Sequence, residues 1–286
     1  MSDIEDEMMN YREYFKGKVI YCNCDHYEYS NFYKYFKQNF KKLELQKLVA
    51  TCYIKNRNGY KAEIEKTKTD EIVETANILK SDGDFRSKEC VNILQEADII
   101  ITNPPFSLFR DYIDLVFKYN KKFIILGSLN AVTYANVFPR LASGELWFGK
   151  NLRSKGTEFI VPHNKSNKNS KVDSEIKCVK MGNVRWFTNF KWGEVEKLKL
   201  TARYNENDYP TYNGYDIINI DKIVNIPLDY DGIMGVPITF FDKYNHAQFQ
   251  IIGIANAVKY IGDTECYTII GNRKVYQRVL IKLKDL

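Results

Sequence analysis

The chain has no apolar run approaching the roughly 20 residues of a membrane-spanning helix, so no span is expected. Its first ten residues hold no basic side chain but do hold Asp3, Glu5, Asp6 and Glu7, the wrong charge for a secretory leader. Cysteine is sparse, with six in 286 residues, scattered mostly through apolar runs. That usage reads as reduced thiols in a cytoplasmic protein. Cys22 and Cys24 share one strand face but lack the second Cys or His pair that a structural zinc needs, so no metal is expected. Only three histidines occur, His26, His163 and His246; they are isolated, none has a nearby Ser or Cys with triad logic, and surface or packing roles are expected for them. Internal repeats and heptad arrays are also missing.

What is present is a globular composition. Apolar residues make up 44% of the chain, too many for a disordered polymer. The length suits one large unit or two unequal ones. The formal charge is +6, and residues 11–286 alone carry 42 basic against 32 acidic side chains. A basic body favours a polyanionic partner without proving one.

The pattern from residue 18 is strand, helix, strand. Residues 18–24 form a β-prone run, Ser30 can cap a helix carrying Phe32, Phe36 and Phe40 on one face, and 48–53 form a second strand. The turn at 56–59 leads into a charged stretch that reads as a surface excursion to Thr69, and 70–79 is read as a helix or a helix plus a short strand. Residues 98–102 are a buried strand, Ser107 opens an amphipathic helix with Leu108, Tyr112, Leu115 and Val116, and 123–127 are another continuous apolar strand. This alternation predicts an α/β fold, a doubly wound and mostly parallel sheet that binds ligands beyond the carboxyl ends of its strands. After Pro139 the rhythm changes. Strands are expected at 157–162 and 183–188, as the last two of the sheet, around a polar basic loop. Beyond about residue 195 comes a smaller α+β portion. The predicted division is a catalytic domain at 1–195 and a C-terminal portion at 196–286.

The strongest chemical signal is Asn103-Pro104-Pro105-Phe106 at a strand end. Two prolines fix φ twice and remove two donors, and they press Asn103 toward extended geometry. The corner offers an amide, a carbonyl and an aromatic face. An exocyclic amine on a planar ring needs that set: two acceptors and a ring to stack on.

This tetrapeptide resembles motif IV of amino-methyltransferases. The segments at 23–32, 82–85, 101–109, 184–189 and 235–244, in that order, resemble the EcoRI-type adenine-specific DNA methyltransferase family. The resemblance spans about residues 18–250. It implies a sheet of the S-adenosylmethionine-dependent methyltransferase type and methyl transfer from S-adenosylmethionine to N6 of adenine in double-stranded DNA, within restriction-modification or as an orphan methylase. Asn103 and the Pro104 carbonyl would accept the two N6 hydrogens, Pro105 would stiffen the corner, and Phe106 would stack on a flipped-out adenine. Asp25, Ser30 and Phe32 match the first cofactor motif, although residues 25–32 lack the usual glycines. Asp84 and Phe85 match the motif that holds the cofactor's adenine. No acidic residue follows the second strand for the ribose.

Plainer roles remain open for several residues. Asp25 can be a cap or loop residue, Asp82-Gly83 a simple turn, and Trp186 and Phe187 core. Target recognition should lie C-terminal, since about 78 residues between the cofactor and catalytic motifs leave no room for a DNA-reading domain. Lys165, Lys168 and Lys171 are candidates for DNA phosphates. The basic excess is expected along the catalytic edge and the C-terminal portion, in a monomer or weak dimer. Competing functions are the same core acting on RNA or protein glutamine, and an inactive nucleic-acid-binding scaffold.

Overall fold

The computed structural model describes residues 2–151, 157–161, 177–181, 183–191, 193, 195–255 and 267–284, with main chain only at 2, 157–161 and 177–181. It divides into two compact units, residues 1–128 with 146–192, and residues 129–145 with 193–286.

The first unit is built on an eight-stranded mixed sheet. Its strands are β1 (Val19–Cys22), β2 (Lys47–Cys52), β3 (Tyr60–Lys66), β4 (Ile72–Ile78), β5 (Ile99–Thr102), β6 (Lys122–Ser128), β7 (Trp147–Phe148) and β10 (Val184–Thr188). They lie in the order β4-β3-β2-β1-β5-β6-β10-β7. The centre, β2-β1-β5-β6, is parallel. The flanks, β3 and β4 on one side and β10 and β7 on the other, run antiparallel. The sheet is thus partly rather than mostly parallel.

Alternation along the strands explains how helices cover both faces. On one face Ile20, Cys22, Leu48, Ala50, Ile99, Ile101, Ile124 and Trp186 share a core with Phe32, Phe36 and Phe40. Phe32 and Phe36 come from α2 (Asn31–Gln38), which Ser30 caps by accepting from the N–H groups of Phe32 and Tyr33. The other face takes side chains from α3 (Lys88–Glu96) and α4 (Phe109–Lys118): the Cys90 thiol reaches Thr51, and Phe109 packs on Phe187. Trp186 and Phe187 are core residues, 1% and 0% exposed.

Three expectations are corrected here. The charged stretch after residue 59 is no surface excursion, and 70–79 is no helix; β3 and β4 extend the sheet. Ala62 and Ile64 face the core while Lys61 pairs with Glu63 and Lys47 bridges Glu63 and Glu65. An edge needs only one apolar face, so two inward side chains suffice. Likewise β8 (Thr157–Val161) pairs not with the main sheet but with β9 (Lys177–Met181) in a separate hairpin. Lys165, Lys168 and Lys171 lie outside the described residues.

The acidic N-terminus is also packed. It forms α1 (Ser2–Met8), with Met8 buried, and the fully buried Glu7 accepts from Tyr11 Oη and from the N–H groups of Lys150 and Asn151.

The second unit carries a four-stranded sheet, β11 (Ile217–Asn219), β12 (Ile233–Pro237), β16 (Arg278–Leu283) and β13 (Phe249–Ile254), in that order. A hairpin of β14 (Ile269–Ile270) and β15 (Arg273–Lys274) and the helix α5 (Phe138–Ser143) belong to the same unit. Among the described residues no helix is long and apolar enough to cross a membrane.

Candidate active site

The site lies at the carboxyl ends of β1 and β5, adjacent parallel strands of the first unit. After Thr102 the chain leaves β5 through Asn103, buried Pro104 and exposed Pro105, whose ψ of 122° is extended. A 3-10 turn at Phe106–Leu108 follows and leads into α4. Two fixed φ angles prevent the helix from beginning sooner. Phe106 is half-buried against the core.

One atom separates this corner from a rigid exit turn. Asn103 Oδ1 is buried and has no hydrogen-bond partner. Buried polar groups are nearly always satisfied, and an open acceptor costs about 1–3 kcal/mol of desolvation. An acceptor kept open at such a cost suits a donor that arrives with a ligand. Asn23 supplies its counterpart on the neighbouring strand end: its Oδ1 accepts from the Tyr112 hydroxyl, while its Nδ2 is a buried donor without a partner.

Asp25 joins the two strand ends. Its Oδ1 accepts from Ser30 Oγ at 2.7 Å and its Oδ2 from Thr102 Oγ1 at 2.5 Å. The Asn103 N–H also donates to this carboxylate. Burial pushes the carboxyl up to about 6, against the opposing pull of those three hydrogen bonds.

The other candidates are placed less openly. Phe32 is 4% exposed with its ring edge-on to Trp186, and Phe85 is 3% exposed against Tyr112. Asp84 receives a two-pronged ion pair from Arg86, through Nε at 3.0 Å and Nη2 at 2.8 Å, which holds its carboxyl below the usual range. Gly83, at φ +81°, lets this loop press on β2, since a Cβ there would lie 2.1 Å from the Cys52 carbonyl oxygen. Sequence reasoning missed Thr102, which no motif singles out. It also missed an aromatic surface after β1, where His26 stacks on Tyr27 at 5.0 Å and contacts Tyr29 and Tyr60. The run of His and Tyr at 26–29 was its only signal.

A strand end that presents Asn, Pro and an aromatic ring, with the amide acceptor held open, is an arrangement that can receive an amino group on a planar ring. The comparisons with known proteins give the family. The model of the family described as adenine-specific methyltransferase EcoRI matches residues 1–284, and the chain belongs to that family. Relatives include the type II methyltransferase M.EcoRI of Escherichia coli, 41% identical over 99% of this chain and 91% of the relative. Type II methyltransferase M.MgeORF184P of Mycoplasma genitalium is 34% identical over 100% of this chain and 94% of its own length. Type II methyltransferase M.MpnI of Mycoplasma pneumoniae is 36% identical over 87% and 79%. No solved structure gives a significant match.

Proposed function

We propose that the protein methylates N6 of adenine in double-stranded DNA, using S-adenosylmethionine, as the modification enzyme of a type II restriction-modification system in the cytoplasm. The observation that carries this reading is the open Asn103 Oδ1 beside two fixed prolines. Asn103 Oδ1 accepts one N6–H and the Pro104 carbonyl the other, drawing the lone pair out of ring conjugation. Phe106 offers its face to the base, which leaves the duplex because N6 is engaged within a base pair. No strong base is needed, since positioning supplies most of the acceleration.

The residues at the end of β1 fit the cofactor. Asn23 Nδ2 is a buried donor lacking an acceptor, and Ser30 opens α2 beside it. When bound, S-adenosylmethionine supplies an electrophilic methyl group on a sulfonium. In this reading Asp25 and Ser30 shape the loop that holds it, and Asp84 keeps lone pairs for its adenine amine beyond those given to Arg86. Phe32 and Phe85 support the pocket wall from the core. The sheet would be of the methyltransferase type, with antiparallel flanks added to a parallel centre.

DNA contacts divide between two regions. Residues 146–192 carry ten basic and three acidic side chains, and Lys165, Lys168 and Lys171 of this stretch would neutralise phosphates. Target recognition is assigned to the C-terminal portion, residues 196–286. There Asn213 pins the β14–β15 turn, donating through Nδ2 to the Gly271 carbonyl at 2.7 Å and accepting from the Gly271 N–H at 3.0 Å. The ribbon holds Arg273 and Lys274 exposed, and a two-stranded ribbon fits the major groove. Incubation with plasmid DNA and cofactor, followed by mapping of modified bases, tests the reading. N6-methyladenine at one recurrent sequence is expected; transfer to RNA or glutamine alone would overturn it.

A further inference from the structure

The Thr102 hydroxyl stands between the two loops of the site. It donates to Asp25 Oδ2 and accepts from the Cys24 N–H at 3.2 Å. The other Asp25 oxygen takes the Ser30 hydroxyl, and the same carboxylate takes the Asn103 N–H. The backbone amide from which the Asn103 side chain springs is therefore fixed by the loop after β1 as well as by its own strand. Pro104 follows with φ locked, so a shift of the carboxylate is carried to both amine acceptors.

We propose that Thr102 and Asp25 form a positioning latch that sets the Asn103 amide and the Pro104 carbonyl against the target amine and ties that geometry to the Ser30 loop. The inference rests on the methyltransferase reading above. Both residues act through Asn103, not on the amine itself.

The latch responds to pH. The titratable groups packed around Asp25 are the thiols of Cys22 and Cys24 on its own strand and loop, the Cys52 thiol ending β2, and the Tyr112 hydroxyl on α4. Burial pushes all four up, so they stay uncharged at neutral pH, while Asp84 is held ionised by Arg86. Asp25, raised to about 6, changes charge as pH falls through that value. Protonation turns one of its oxygens into a donor, which faces a Ser, Thr or amide donor and loosens the latch.

Thr102→Val keeps the branched shape and removes the hydroxyl, whereas Thr102→Ser keeps the hydroxyl. At saturating cofactor, T102V is expected to lower kcat about 10- to 100-fold with cofactor KM within about threefold, and T102S to stay within about threefold of the parent. The parent kcat should fall as pH drops through about 6, and Asp25→Asn should lack that acid limb. A structural role alone would lower the melting temperature of T102V without linking turnover to Asp25 ionisation. Normal turnover by T102V, equal losses in T102V and T102S, or an acid limb retained in D25N would each overturn the latch while leaving the function intact. A parent that modifies no adenine would overturn both.

Discussion

Replacing Asn103 by alanine should separate chemistry from stability, because the atom removed does nothing for the folded protein. Asn103 Oδ1 is buried without a partner, so it contributes desolvation cost and no compensating bond. Alanine relieves up to about 1–3 kcal/mol of that cost and gives up a little side-chain packing. The hydrogen bond to Asp25 comes from the Asn103 backbone and survives the change. The melting temperature should therefore hold or rise, by about 2–4 °C for each kcal/mol gained. Activity should move the other way. Removing one preorganised hydrogen-bond partner of a reacting group costs about 10²–10³-fold in kcat, or about 3–4 kcal/mol. A radiolabelled methyl-transfer assay on plasmid DNA reads the second quantity and a thermal melt the first. A variant that melts several degrees lower, or one that keeps kcat within about tenfold of the parent, would refute the argument. The first result would make Asn103 a structural residue and the second would remove it from the site.

Other outcomes follow from the same geometry. Tyr112→Phe removes the donor to buried Asn23 Oδ1 and should cost about 1–3 kcal/mol, read as a lower denaturation midpoint; an unchanged midpoint would mean the acceptor finds another donor. Neutralising Lys165, Lys168 and Lys171 together should make the logarithmic salt dependence of DNA binding shallower by about 0.9 for each phosphate left without its cation. An unchanged slope would take these lysines off the DNA. Arg273→Ala should cost about 1–3 kcal/mol on the target sequence and relax discrimination, whereas Lys274→Ala should weaken all sequences alike. Equal effects of Arg273→Ala on target and non-target DNA would count against base reading by the β14–β15 ribbon.

The geometry of the Asn-Pro-Pro corner was legible in the sequence because proline acts locally. Two prolines after a buried strand constrain the chain whatever surrounds them, and the structure places Asn103 at that strand end with its acceptor open. The Ser30 cap was legible for the same local reason. The Asp25–Thr102 latch was not, since its partners lie 77 residues apart and meet only through the β1–β5 register, Ile20 with Ile99 and Tyr21 with Ile100. Strand β3 was hidden by its charge, and β4, whose single charged residue is Glu74, is exposed almost throughout and so shows no buried face that would mark a strand. Lys and Glu paired across one face look like a solvated loop until a neighbouring strand supplies their register. Phe32 and Phe85 show the converse. Motif position suggests a place beside a ligand, whereas the nearly complete burial of both rings, beside Trp186 and Tyr112, is a matter of tertiary packing that no local pattern marks.

Net charge proved informative only once it was located. Residues 1–128 carry twenty basic and twenty acidic side chains, and the second unit twelve basic and thirteen acidic. The whole positive excess sits in residues 146–192, so the expectation that the C-terminal portion shares it is not met. Electroneutrality there is no argument against base reading. Phosphate attraction depends on charge and ignores sequence, whereas base discrimination depends on a few directed hydrogen bonds. A unit whose cations are segregated, with five basic and no acidic residues in 267–284, can read bases without adding indiscriminate affinity. The acidic N-terminus is likewise more than a counterweight to the basic stretch. Glu7 spends its charge on the backbone amides of Lys150 and Asn151, where that stretch begins, and so fixes the start of the segment proposed to hold DNA.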